Sequence, residues 1–124
     1  MVINLGCDRV ISKINMRLME KRIKGIHLPI FSKEDKIRQR IIFYGKVKRV
    51  AFRNEVYLMG LRLGISGFVY NDKKSVVLEI EAEPNKITYL INHLKSVSRF
   101  KITFIDITTI GLKNETIFYK TKRP

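Results

Sequence analysis

The chain has 124 residues, of which 25 are Lys or Arg and 11 are Asp or Glu, so its net charge is +14. This length predicts one domain, and the hydrophobic fraction of 45% suffices for one core and excludes a disordered chain. No apolar run approaches the roughly 20 residues that span a bilayer, and no secretory signal is visible, so we expect a cytoplasmic protein. A single cysteine, Cys7, excludes an internal disulfide. The positive surface favours anionic ligands, including phosphate esters, nucleic acid and anionic lipid.

Residues 1–39 read as a helical extension. Apolar residues recur at helical spacing between Asp8 and Lys24, and Gly25 can end that helix. The segment Ser32–Arg38 begins like a capping box, which predicts a short helical turn. We expect the extension to pack on the domain that follows. A dimer contact and a basic arm for nucleic acid or lipid are the alternatives.

Residues 40–124 are predicted to form the domain itself, as strand, helix, strand, strand, helix, strand and a short last strand. The first helix has apolar residues at helical spacing from Val56 to Leu63, and Pro84 opens the second. This order predicts an α+β fold of the ferredoxin-like, split βαβ type, in which two helices cover one face of an antiparallel sheet. The predicted strands are Ile41–Val47, Phe68–Tyr70, Ser75–Ala82, Lys101–Ile107 and Ile117–Lys120.

A short basic loop, Lys48–Ala51, leads from the first strand into the first helix, and Arg53 lies where they meet. A helix N-terminus offers unpaired backbone N–H groups and a partial positive charge, which suits an anion. The helix dipole disfavours a cation at this position. An anion between Arg53 and the helix N-terminus would offset that unfavourable interaction. The guanidinium fork of Arg53 fits two phosphate oxygens.

Two blocks of this region resemble the signature of the acylphosphatase family. The first reads Gly45-Lys-Val-Lys-Arg-Val-Ala-Phe-Arg53, against the family's Gly-x-Val-Gln-Gly-Val-x-Phe-Arg. The second reads Leu63-Gly-Ile-Ser-Gly-Phe-Val-Tyr-Asn71, against Leu-Gly-Leu-x-Gly-Trp-Val-x-Asn. The spacing between the arginine and the asparagine also agrees, and the resemblance extends over Arg40 to Lys122.

The resemblance implies the same ferredoxin-like fold and hydrolysis of the carboxyl–phosphate bond of small acyl phosphates. It implies that Arg53 binds the phosphoryl group and that Asn71 orients the attacking water. The resemblance implies a reaction without metal, cofactor or covalent nucleophile, because the bond is already activated and positioning with charge stabilisation can suffice. We expect the small acyl phosphate and inorganic phosphate as ligands. The predicted phosphate-binding loop consists of Lys48, Arg49, Val50, Ala51 and Phe52.

Lys48 and Arg49 depart from the family, which has Gln and Gly there, and they add two charges beside the anion site. One alternative is therefore a domain that binds a phosphorylated ligand without hydrolysing it. Another is a basic nucleic-acid-binding module, which we do not favour because the aromatic RNA-binding motif is missing. Glu79 and Glu81, expected on a solvated sheet face, would also repel phosphates. His93, expected near a helix surface, and His27 match no catalytic motif. The oligomeric state stays open.

Overall fold

The computed structural model describes residues 16–47 and 51–122. Residues 16–24 are helical (α1), which agrees with the described part of the predicted N-terminal helix; Cys7 and the start of that helix lie outside the described residues. Seven further elements follow, namely β1 (Ile37–Lys46), α2 (Phe52–Leu63), β2 (Ser66–Asn71), β3 (Ser75–Ala82), α3 (Pro84–Ser96), β4 (Lys101–Ile110) and β5 (Phe118–Lys120).

The strands form one five-stranded sheet in the order β4-β1-β3-β2-β5. Neighbours are antiparallel except for β5, which joins β2 in parallel. The helices α2 and α3 pack against each other and against this sheet. The predicted ferredoxin-like α+β fold is confirmed, and β5 adds one parallel pair to the antiparallel sheet. No helix in the described part of the chain is long and apolar enough to cross a membrane.

The first strand starts earlier than predicted, at Ile37, and the helical turn predicted for Ser32–Arg38 is wrong. Residues 37–44 pair along the whole of β3, and burial alternates over residues 41–44. The pairing of Ile37 with Ala82 places Arg38 beside two glutamates of β3, as described below. Strand pairing and this ion pairing therefore outweigh a local capping pattern.

The hydrophobic core lies between the sheet and the helices. Phe52, the first residue of α2, packs against Phe43 of β1 and Phe100 before β4, with ring centroids 5.1 Å and 4.8 Å apart. Met19 and Ile23 of α1 are buried in the same core. Apolar packing therefore holds the described part of the N-terminal extension on the domain and fixes the start of α2 at one end of the sheet.

The other face of the sheet carries a buried ion network beneath the connection of residues 111–117. The expectation that Glu79 and Glu81 face solvent is wrong, since they are 2% and 3% exposed. Arg38 Nε donates to Glu79 at 2.8 Å, and Arg38 Nη1 donates to Glu81 at 3.3 Å. The backbone N–H of Lys113 donates to Glu81 at 2.8 Å. Because β4 and β5 lie on opposite edges, their connection crosses this face and covers both carboxylates.

Candidate functional site

The N-terminus of α2 has no side-chain cap. Ala51 occupies the N-cap position with φ 62° and ψ 27°, a left-handed conformation, and its methyl group cannot accept a hydrogen bond. The first-turn N–H groups of an α-helix have no partner within the helix. They can therefore be satisfied by an external acceptor such as an anion. Lys48, Arg49 and Val50 of the predicted loop lie outside the described residues, so their part in the site stays a prediction.

Arg53 lies in the first turn of α2 and is half-buried. Its neighbour Phe52 packs in the core against Phe43 and Phe100, and these contacts position the start of α2 against the sheet. The ion pairs formed among residues 16–47 and 51–122 leave Arg53 without a carboxylate partner. A cation at the positive end of a helix, without a counter-charge from the described protein, is a geometry that an anionic ligand would stabilise.

Asn71 is the last residue of β2 and is exposed. Both β1 and β2 run antiparallel to β3, so their C-terminal ends lie at the same end of the sheet. Asn71 is two positions beyond Val69, which is buried in the core, so both side chains project from the helix-covered face. The fold thus brings Asn71 to the end of the sheet at which α2 begins, with Arg53 in its first turn.

A third residue, Lys120, lies at the same place and was not identified from the sequence. Its backbone pairs with Val69, and its Nζ lies 3.1 Å from Asn54 Oδ1 and 5.0 Å from the ring centroid of Tyr57. Burial and the positive charge of Arg53 lower the pKa of Lys120, whereas Glu20 acts in the opposite direction. We call Arg53, Asn71 and Lys120 together the candidate site.

Two motif glycines shape the backbone around this site. Gly45 and Gly67 have φ of 119° and 117°, a region that residues with a side chain rarely adopt. A Cβ atom on Gly45 would lie 2.1 Å from Lys101 O, and one on Gly67 would lie 2.0 Å from Glu79 O. Both glycines therefore allow the backbones of adjacent strands to approach closely. This part of the motif is required by the fold and not by the chemistry of the site.

Glu55 ties the start of α2 to the rest of the protein. Its side chain is fully buried and pairs with Arg22 of α1, while its Oε2 lies 2.6 Å from His93 Nε2 of α3. His93, expected on or near a helix surface, is partly buried, with 12% of its side chain exposed, and its ring faces Glu55. Burial alone would raise the pKa of Glu55, but the hydrogen bonds from His93 and Arg22 lower it. The carboxylate of Glu55, two residues after Arg53, therefore links α2 to both α1 and α3.

Replacing Glu55 with Gln is expected to lower the free energy of unfolding at pH 7 by about 2 kcal/mol, because a buried charge pair is broken while one amide contact survives. A carboxyl whose folded-state pKa is lowered stabilises the fold above its unfolded pKa of about 4.5. That stabilisation is lost as the pH falls from 4.5 through the folded-state value. Urea unfolding between pH 7 and pH 3 should show this decline in wild type and less of it in Glu55→Gln. Parallel pH profiles for the two proteins would contradict the assignment.

The fold and the candidate site define a small α+β domain that carries the cationic side chains of Arg53 and Lys120 at one end of its sheet. A sequence model for the family described as acylphosphatase matches residues 39–120. An acylphosphatase of Picrophilus torridus is 31% identical over 67 residues, which are 52% of this chain and 83% of that protein.

Solved structures give the same result at the level of the fold. The acylphosphatase of Bacillus subtilis aligns with a TM-score of 0.62 at 27% identity, over 68% of this chain and 98% of its own. Full-length HypF, in a phosphate- and nucleotide-bound form, aligns with a TM-score of 0.66 at 22% identity, over 74% of this chain. The match spans only 12% of the HypF chain. The chain belongs to the acylphosphatase family.

Proposed function

We propose that this protein hydrolyses small acyl phosphates to a carboxylate and inorganic phosphate. The observation that carries the proposal is the position of Arg53, a half-buried cation without a described carboxylate partner in the first turn of α2, at the end of the sheet where Asn71 ends β2. Membership of the acylphosphatase family supports the assignment of both residues. The proposed site comprises these two residues with the loop Lys48–Phe52.

In the proposed reaction, the Arg53 guanidinium and the first N–H groups of α2 bind the phosphoryl oxygens. The Asn71 carboxamide holds a water in line with the bond to the carboxylate, since an amide can both accept from and donate to that water. The water oxygen attacks phosphorus, the P–O bond to the acyl group breaks, and the carboxylate leaves with the bonding electrons. The water's protons pass to phosphate and solvent. The described residues need to supply only positioning and charge stabilisation.

The direct test is hydrolysis of benzoyl phosphate by the purified full chain. The reaction is measured in matched buffers as loss of the acyl phosphate and release of inorganic phosphate. We expect turnover above the spontaneous rate and competitive inhibition by inorganic phosphate. A catalytically silent protein that inorganic phosphate nevertheless protects against thermal unfolding would overturn the hydrolase and favour a phosphate-binding domain. Such protection would follow mass action, so its dependence on phosphate concentration gives the affinity.

Replacing Asn71 with Ala is expected to reduce kcat for benzoyl phosphate by about 10²–10³-fold, because the attacking water loses its orientation. The KM should change little, since the phosphoryl group is bound by Arg53 and the helix start. Stability should stay close to that of wild type, because Asn71 is exposed at the end of its strand. Asp72→Ala, in the adjacent exposed turn, is the matched control. Equal kcat values for Asn71→Ala and this control would remove Asn71 from the mechanism.

A further inference from the structure

We propose that Lys120 is a second phosphate-binding cation, which contacts the phosphoryl group of the bound substrate together with Arg53. The inference rests on the proposed function for its substrate, although its phosphate contact can be tested without turnover. It assigns a binding role to the short last strand, β5, which the motif around Arg53 and Asn71 does not include.

The backbone positions Lys120 next to the reacting groups. In the parallel pair of β2 and β5, Lys120 lies opposite Val69, and Thr121 N donates to Val69 O at 3.0 Å. Asn71 is two residues beyond Val69 on the same face. Adjacent strands lie about 4.8 Å apart and advance about 3.3 Å per residue, so the Cα atoms of Lys120 and Asn71 are about 8 Å apart. An extended lysine side chain covers most of this distance.

The side chain of Lys120 points toward the start of α2. Its ammonium nitrogen lies 3.1 Å from Asn54 Oδ1 and over the ring of Tyr57, 5.0 Å from the centroid. Asn54 follows Arg53 directly, so the two cations flank the same helix turn. An ammonium group has three N–H donors, and the contact with Asn54 uses one of them. The remaining donors can reach an anion bound at the N-terminus of α2.

The electrostatics favour an anion between the two cations. The positive charge of Arg53 adds to the effect of burial in lowering the pKa of Lys120, so the two cations repel each other. Glu20 of α1 offsets part of this repulsion. A phosphoryl group carries up to two negative charges and would replace the repulsion with two attractive, charge-assisted contacts. The cost of holding Lys120 beside Arg53 is thus recovered when the ligand binds.

The variant Lys120→Met tests this role, since methionine keeps an unbranched side chain of similar length and removes the charge. We expect the inhibition constant of inorganic phosphate and the KM of benzoyl phosphate to rise together by about tenfold, which is the typical effect of one charge-assisted hydrogen bond. The kcat should change by less than about threefold, because the contact exists in both ground and transition states. Lys120→Arg should restore most of the affinity.

Lys101→Met is the matched control for net charge. Lys101 lies at the same end of the sheet but on the opposite edge strand, four strands and about 19 Å from β5. Calorimetric titration of each variant with inorganic phosphate reads the contact directly, and thermal unfolding checks the fold. Unchanged phosphate affinity in Lys120→Met would overturn the inference while leaving the hydrolase intact if turnover persists. A wild type that binds phosphate through Lys120 without hydrolysing benzoyl phosphate would support the inference and refute the proposed function.

Discussion

Replacing Arg53 with Ala is expected to lower kcat/KM for benzoyl phosphate by about 10³-fold or more. Arg53 is the cation in the first turn of α2, and a planar guanidinium can donate two parallel hydrogen bonds to the phosphoryl oxygens. Arginines that stabilise a transferring phosphoryl group contribute about 10³–10⁵-fold in other phosphoryl-transfer enzymes. Both binding and the chemical step should suffer, since negative charge on the phosphoryl oxygens persists in the transition state.

In contrast to its activity, the stability of Arg53→Ala should stay unchanged or increase. Removing a cation from the positive end of a helix is worth about 0.3–1 kcal/mol, and the repulsion between Arg53 and Lys120 also disappears. Arg53→Ala is therefore expected to unfold at the same urea concentration as wild type or at a higher one.

Arg53→Lys separates charge from shape, because it keeps the cation and loses the fork, and we expect an intermediate loss. Arg17→Ala, on the exposed surface of α1, is the control for net charge. Arg53→Ala activity within tenfold of the control would exclude Arg53 as the main phosphoryl ligand. A large loss of both stability and activity would instead point to a structural role.

The fold was largely predictable because the relevant signals are local. The alternation of side chains between the two faces of β3, the helical spacing from Val56 to Leu63 and the proline that opens α3 each reflect a short-range rule. The glycines at 45 and 67 are required by close backbone contacts that only the three-dimensional structure reveals. The spacing of these glycines in the motif can be seen in the sequence alone, so the family resemblance predicted the fold correctly.

The features that were missed depend on contacts between distant parts of the chain. Lys120 could not be linked to Arg53 without the parallel pairing of β5 with β2. Nothing near His93 in the sequence indicates Glu55 as its partner, 38 residues earlier. The alternation along β3 correctly predicted that Glu79 and Glu81 share one face. The connection of residues 111–117, which covers this face, runs between the two edge strands, and no local pattern in β3 indicates it.

Replacing Arg38 with Met is expected to lower the free energy of unfolding at pH 7 by about 3 kcal/mol or more. The Arg38 side chain is fully buried and pairs with Glu79, Glu81 and Glu115 at 2.8, 3.3 and 3.0 Å. Removing one partner from a buried network leaves carboxylates without compensation, which costs more than the network contributes in the intact protein. Lys113 and Arg40 also contact Glu79, at 3.2 and 3.4 Å, but both side chains are more than half exposed.

The pH dependence of this variant has a definite sign. In wild type, burial alone would raise the pKa of Glu79, but hydrogen bonds from Arg38 and Lys113 lower it. Burial likewise opposes the lowering of the pKa of Glu81 by the Lys113 backbone and Arg38. Wild type therefore loses stability as the pH falls below about 4.5. Without Arg38, burial dominates and protonation relieves the variant, so the difference between the two proteins is largest at neutral pH and shrinks in acid.

Urea unfolding of the two proteins from pH 7 to pH 3 measures this convergence. Arg40→Met is the matched control, because Arg40 lies on the same strand and face, is 52% exposed and contacts Glu79 at 3.4 Å. Its loss should cost less than about 1 kcal/mol. Adding Glu79→Gln and Glu81→Gln to Arg38→Met removes both uncompensated charges and should recover much of the lost stability. A pH-independent deficit, or no recovery in the triple variant, would show that Arg38 acts through packing of its side chain and not through its charge.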